Sequence, residues 1–147
     1  MKKLIILTVL FLMVDVAIFA QSNNNLQNVN DIKSIITNDY VNGVHNFDDL
    51  KSAREYFSDE FVFVSCLNGN TNQLTIDKYF DYYKKAKKYK DKTHPIECKF
   101  ESIDVEKDFA LVKVKLSRNT DDLYTNYISL CKFEDGWKII SILNQRI

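Results

Sequence analysis

The chain has 147 residues, with 20 basic side chains balanced by 20 acidic ones, 46% hydrophobic and 13% aromatic content, three glycines and three cysteines. That length favours one domain, with enough apolar material to need neither metal nor disulfide. The even charge balance gives no reason to expect the basic surface that phosphate backbones require, so nucleic acid is not an expected partner, and three glycines leave little room for a phosphate-cradling loop.

The N-terminal stretch MKKLIILTVLFLMVDVAIFA opens with Lys2 and Lys3, runs apolar from Leu4 to Val14 and ends on Ala20. A positive start, a short apolar run and a small final residue form a signal peptide pattern over residues 1–20, with cleavage after Ala20. The expected destination is the periplasm or the outside of the cell. The run is shorter than the roughly 20 apolar residues of a membrane helix, so no stable span remains after cleavage. Asp15 interrupts the run, and an uncleaved anchor is the alternative.

Residues 21–29 are polar and read as disordered; residues 30–147 form the domain. Asn30 or Asp31 caps a first helix, whose apolar face is Ile32, Ile35, Ile36, Tyr40 and Val44, with Gly43 as its stop. A second, short helix starts at Asp48 and buries Ala53 and Phe57. Glu60–Leu67 reads as a strand, Asn68–Gln73 as a turn, and Thr75 as the cap of a third helix carrying Ile76, Phe80 and Tyr83, with Tyr79 beside them. That helix ends in the lysines 84, 85, 87, 88, 90 and 92, read as a solvated end whose cations suit the negative pole of the helix. Four strands follow: Ile96–Val105, Phe109–Ser117, Tyr124–Phe133 and Trp137–Leu143. Their short links suit antiparallel neighbours. The expected class is α+β, with N-terminal helices packed in a curved, mostly antiparallel sheet.

Alternation assigns the strand faces, using Glu97, Lys99, Lys113, Lys115, Lys132 and Lys138 as markers of the wet side. The inner face then holds Ile96, Cys98, Phe100, Ala110, Val112, Val114, Leu116, Tyr127, Ser129, Cys131, Phe133, Trp137, Ile139, Ser141 and Leu143. Small residues among large ones leave room for a pocket, or are filled by helix side chains. The expected lining of a small apolar or aromatic ligand is Tyr40, Phe57, Phe61, Tyr83, Tyr127, Ser129 and Trp137. Leu111, Ile128, Leu130, Ile140 and Ile142 fall on the outer face, where a homodimer would cover them or they stand as scattered surface residues. The cysteines 66, 98 and 131 lie too far apart for a zinc site and read as buried free thiols, or as one disulfide and one thiol.

No cofactor or metal is expected, and no residue set reads as catalytic. The groups that could reach a rim are Asp39, Asp59, Glu60, Asp81 and His45. His45 and His94 read as loop residues, His45 in solvent. An isomerase- or cyclase-like enzyme would use a rim carboxylate, such as Asp59, as base and Tyr127 as donor. The alternatives are a non-catalytic binding module and a dimeric scaffold with a filled interior.

Tyr124-Thr125-Asn126-Tyr127-Ile128-Ser129-Leu130, followed by Gly136-Trp137-Lys138-Ile139-Ile140, resembles the nuclear transport factor 2-like (NTF2-like) superfamily. Within it the chain is similar to the group of putative lumazine-binding proteins, over about Asn30 to Leu143. Tyr40-Val41-Asn42-Gly43, Ala53 to Phe57 and Asp108 to Leu116 match more weakly. The resemblance implies a cone-shaped fold with a pocket, and dimers as a common form. It implies little about reaction, since the superfamily holds isomerases, cyclases, dehydratases and plain binding modules. This chain departs from the group at Asn126, where an acid is frequent, at Ile142, where a lysine is frequent, and at Ser58, where a histidine is frequent.

Overall fold

A computed structural model describes residues 25–89 and 93–147. The expected signal peptide lies outside them. Among the described residues, no helix is long and apolar enough to cross a membrane.

The first helix, α1, spans 25–45, so residues 25–29 are helical rather than the tail of a disordered tract. Its second half, Ile35–His45, is π-wound. Asn46 N closes the last wide turn by donating to Val41 O at 2.9 Å. Gly43 does not end the helix. It allows close approach, since a Cβ there would stand 2.7 Å from Ala53 Cβ. Ala53 belongs to α2, Leu50–Arg54, which is capped by Asp49 rather than Asp48: the Asp49 carboxylate accepts from the N–H groups of Lys51 and Ser52 at 3.1 and 3.0 Å.

Strand β1 runs Phe57–Leu67 and turns through Asn68-Gly69 into β2, Asn70–Thr75. Both turn residues have positive φ, +51° and +78°, which Asn and Gly adopt most readily. The stretch read as a turn, Asn68–Gln73, is therefore a two-residue hairpin turn plus the start of an edge strand, with Leu67 opposite Asn70. Helix α3, Ile76–Ala86, follows, with Thr75 in extended cap geometry but making no side-chain bond. Strands β3 (Ile96–Glu106), β4 (Phe109–Arg118), β5 (Asp121–Phe133) and β6 (Gly136–Arg146) complete one six-stranded sheet, ordered β2-β1-β6-β5-β4-β3. Only β1 and β6 pair in parallel. The α+β class with a curved, mostly antiparallel sheet holds.

The core lies between the concave face and the helices. From β4 it takes Ala110, Val112, Val114 and Leu116, as alternation predicts. On β5 the faces are the reverse of those expected. Asn126, Ile128 and Leu130 are buried, while Tyr127 and Phe133 are 40% and 45% exposed. Lys132 was the misleading marker. It sits at inward parity but at the strand's end, where its Nζ donates to Asn28 Oδ1 of α1 at 3.0 Å. On β6, Trp137 and Ile139 point inward as expected. Ile140 is then an extra residue in the ladder, because Leu130 pairs with Ile139 and Ser129 with Ser141. The bulge reverses the alternation. Ile142 is buried, and Leu143 is 52% exposed.

Ile128, Leu130 and Ile142 therefore cannot form an outer patch. Burying each contributes about 1.5–3 kcal/mol to the fold. The cysteines are free thiols, but Cys66 is exposed and Cys98 and Cys131 are only partly buried.

Candidate functional site

Two hollows lie at opposite ends of β6. One, of about 320 Å³, opens between α1, α3 and the far end of the sheet. Tyr40 and His45 of α1, Tyr79, Tyr82 and Tyr83 of α3, and Tyr124 of β5 make its aromatic wall. Phe63 and Ser65 of β1, Asn72 and Leu74 of β2, and Asn144 of β6 complete it.

Helix winding explains why His45 belongs here. It follows Tyr40 by five residues, the repeat of a π-turn, so both rings face the same way. The rings of Tyr40 and His45 meet edge to face at 4.9 Å, and those of His45 and Tyr83 at 5.2 Å. Asn46, 8% exposed, anchors the helix end. Its Nδ2 donates to Ile96 O at 2.9 Å, and its Oδ1 accepts from Ile96 N at 2.7 Å, so one side chain stands in for a neighbouring strand. His45 is thus held in the wall, not in solvent. Burial, and then the positive charge of Arg118, lower its pKa to about 4, so the ring is neutral at pH 7.

Behind the wall runs a polar chain. Asn144 Nδ2 donates to Asn126 Oδ1, and Asn126 Nδ2 donates to Tyr40 Oη, both at 2.6 Å. Asn126 is fully buried. An acid at this position would leave a charge to neutralise; an amide has both of its ends satisfied here. Burial raises the pKa of Tyr40, Tyr79 and Tyr83, keeping their hydroxyls protonated.

Two hydrogen-bonding atoms of the wall are left over. His45 Nδ1 lies 3.3 Å from Tyr83 Oη, but His45 Nε2 is buried without a partner. The hydroxyl of Tyr79 feels those of Tyr40 and Tyr83, yet makes no bond of acceptable geometry. A buried polar atom without a partner costs about 1–3 kcal/mol, which a bound group can recover.

The second hollow, about 440 Å³, is bordered by Asp31, Asp39, Glu55, Lys132, Trp137 and Lys138, among others. Burial raises the pKa of Asp39 there to about 6. Trp137 Nε1 donates to Asn28 Oδ1 at 3.3 Å.

The expected ligand residues are therefore not one group. Tyr40 and Tyr83 line the mouth cavity. Phe57 and Phe61, 2% and 1% exposed, are core rings behind it. Trp137 lies at the other end of β6. Tyr127 and Ser129 face outward with Lys113, whose Nζ sits 5.7 Å from the Tyr127 ring centre. The acid–base pair of the enzyme reading also separates. The Asp59 side chain is 93% exposed and bound to Arg54 at 2.9 Å, and Tyr127 is on the opposite side of the sheet from the cavity. Sequence reasoning missed His45, Tyr79, Asn126 and Asn144 as parts of one assembly. The spacing Tyr40 to His45 was the available signal, hidden by reading Gly43 as a helix stop. Among the described residues, no group of three or more His, Cys, Asp or Glu is placed to hold a metal ion.

The family described as putative lumazine-binding matches residues 27–143. Among solved structures, an NTF2-like protein of unknown function from Silicibacter pomeroyi is similar, at 15% identity and TM-score 0.70 over 84% of this chain and 98% of that one. A second, from Shewanella baltica, has 17% identity and TM-score 0.63 over 81% and 93%. A protein described as a putative aromatic ring hydroxylase, from Novosphingobium aromaticivorans, has 12% identity and TM-score 0.57 over 83% and 90%. At these identities the likeness is one of fold. No curated protein matches the chain.

Proposed function

The chain belongs to the family described as putative lumazine-binding, within the NTF2-like cone fold, and from that premise we propose that it is an exported, non-catalytic module that binds a small aromatic molecule in the mouth cavity. The observation that carries this reading is the pairing of an aromatic wall with two buried, unpartnered polar atoms, His45 Nε2 and Tyr79 Oη. Stacking surface and hydrogen-bond vacancies together suit a flat heterocycle with ring nitrogens or carbonyls, the class to which a lumazine belongs. A volume of about 320 Å³ lies at the lower end of the roughly 300–1,000 Å³ of ligand pockets, enough for one or two fused rings. The lining groups are tyrosines, asparagines, a serine and a neutral histidine, a set made for holding rather than for strong acid–base work. Export rests on the N-terminal pattern from Lys2 to Ala20.

Trp137 is remote from this cavity, so its fluorescence is a poor reporter. The test is calorimetric titration of the mature protein with lumazine and a panel of similar heterocycles, beside Ser65→Phe, which fills the cavity from β1. Saturable binding by the wild type and its loss in Ser65→Phe are expected. No binding across the panel, or binding unchanged by Ser65→Phe, would overturn the reading.

The homodimer belongs to the same proposal, on a set of residues that shares Leu111 with the one expected. Phe109, Leu111, Tyr127, Phe133 and Leu143 are each 40–52% exposed and lie on the outer face of neighbouring strands β4, β5 and β6. An apolar group of that kind favours a contact over solvent.

A further inference from the structure

The wall of the mouth cavity carries no formal charge. None of its lining residues is Asp, Glu, Lys or Arg. His45 is neutral at pH 7, and Tyr40, Tyr79 and Tyr83 keep their protons. The chain as a whole is 27% charged, so composition alone does not produce such a wall. Helix α3 shows the sorting. Its Tyr79, Tyr82 and Tyr83 line the cavity, while its Asp77, Asp81 and Lys84 border a groove shared with α2. The hollow at the other end of β6 is the contrast, bordered by four carboxylates and two lysines.

This uncharged wall still offers hydrogen bonds in both senses. The Tyr79 hydroxyl, buried and without a partner, is a donor with nothing to donate to. Asn144 uses its Nδ2 on Asn126 Oδ1 at 2.6 Å, which leaves its own Oδ1 as an acceptor with no protein donor among the described residues. His45 Nε2, also buried and unpartnered, donates in one tautomer and accepts in the other, according to which way the proton lies between Nδ1 and Tyr83 Oη.

We infer that the mouth cavity selects an electrically neutral aromatic ligand that carries both a hydrogen-bond acceptor and an N–H donor, the pattern of a cyclic amide, and that it rejects anions and cations of the same shape. This rests on the binding-module reading and adds to it the charge and the hydrogen-bonding pattern of the ligand. An ion entering here would give up its hydration and meet no counter-charge on the wall. A neutral cyclic amide gives up hydrogen bonds to water that the wall returns: its carbonyl accepts from Tyr79 Oη and its N–H donates to Asn144 Oδ1. The tautomers of His45 let it serve either end. Carboxylated or phosphorylated heterocycles and protonated aromatic amines are therefore excluded by charge before shape decides.

The test uses planar probes of matched shape and different charge at pH 7: benzamide, benzoate and benzamidinium, titrated into the mature protein by NMR. A second pair, 2-quinolone against quinoline, adds or removes the cyclic amide. Benzamide is expected to bind about tenfold or more tightly than either ion, since neither ion finds a partner on the wall. The quinolone should bind several-fold more tightly than quinoline, and Tyr79→Phe should narrow that difference. Ser65→Asp, which places a carboxylate on the wall from β1, should turn the preference toward benzamidinium. Equal affinity for the three benzene probes, or a preference for either ion in the wild type, would overturn the neutral ligand while leaving the binding module standing. Equal affinity for quinolone and quinoline would overturn the cyclic amide. Binding of none of the five would remove the inference and the binding module together. If a variant fails to fold, the wild-type comparisons decide alone.

Discussion

Replacing Tyr40 by Phe removes one oxygen and leaves the packing in place. Its hydroxyl accepts from Asn126 Nδ2 at 2.6 Å, at a residue with no solvent exposure. The substitution strands an amide donor in the core, which costs about 1–3 kcal/mol. Asn126→Leu strands two groups, Tyr40 Oη and Asn144 Nδ2; the second is only partly buried and borders the cavity, so water relieves it. We expect about 2 kcal/mol for that change also. The double variant removes the donor and the acceptor together. It should lose less than the sum of the singles by about 1–2 kcal/mol, the signature of a direct contact. Urea unfolding at pH 7 measures all four proteins, with the midpoint shifting and the slope constant. Single losses under about 0.5 kcal/mol, or strict additivity, would refute the buried amide–phenol contact.

Acid titration separates two groups with opposite signs. His45 has a folded pKa of about 4 against 6.5 unfolded, so the unfolded chain binds more protons in between. Its contribution is present above pH 6.5 and is lost as pH falls toward 4. Asp39, raised from 3.8 to about 6, does the reverse: its contribution is present at low pH and lost as pH rises through 6. His45→Gln should therefore flatten the acid loss of stability and Asp39→Asn steepen it, read as urea midpoints between pH 4 and 7; identical profiles would disprove both assignments. Gly43→Ala drives a Cβ to 2.7 Å from Ala53 and should cost about 1–3 kcal/mol by thermal unfolding, with a neutral result ruling out the tight contact of α1 with α2. Ile128→Lys, in the core, should unfold the protein, whereas Leu143→Lys should fold normally and lower the native mass from dimer to monomer. An unchanged mass for Leu143→Lys would count against the outer-face dimer.

Local chemistry made much of this fold legible. Asn68-Gly69 marked a turn, and the β4 alternation from Ala110 to Leu116 named its core side correctly. The errors on β5 and β6 share one cause. A period of two carries no information about phase, so phase was taken from charged residues, and one at a strand's end is free to reach out from either face. Lys132 does so, and the whole strand was read inside out. The Ile140 bulge then reversed half of β6, and nothing in Lys138-Ile139-Ile140-Ser141 distinguishes a bulge from continued alternation. The site suffered accordingly. Tyr40 and Tyr83 lay on helices whose faces were read well, while Tyr127 and Ser129 inherited the wrong phase. His45 was assigned to a solvated loop because π-winding carries a helix past a glycine that ordinarily stops one.

Asn126 has a consequence for how the cavity meets a changing environment. The chain Tyr40–Asn126–Asn144 contains two amides and a phenol held protonated, so acidification leaves it electrically silent. The back of the cavity keeps one shape and one charge whatever the medium. His45, by contrast, is a wall residue that acid can charge. The proposed export would bring the protein to pH values its cell does not regulate, and this division would let acidity alter how tightly the proposed ligand is held without altering which ligand fits.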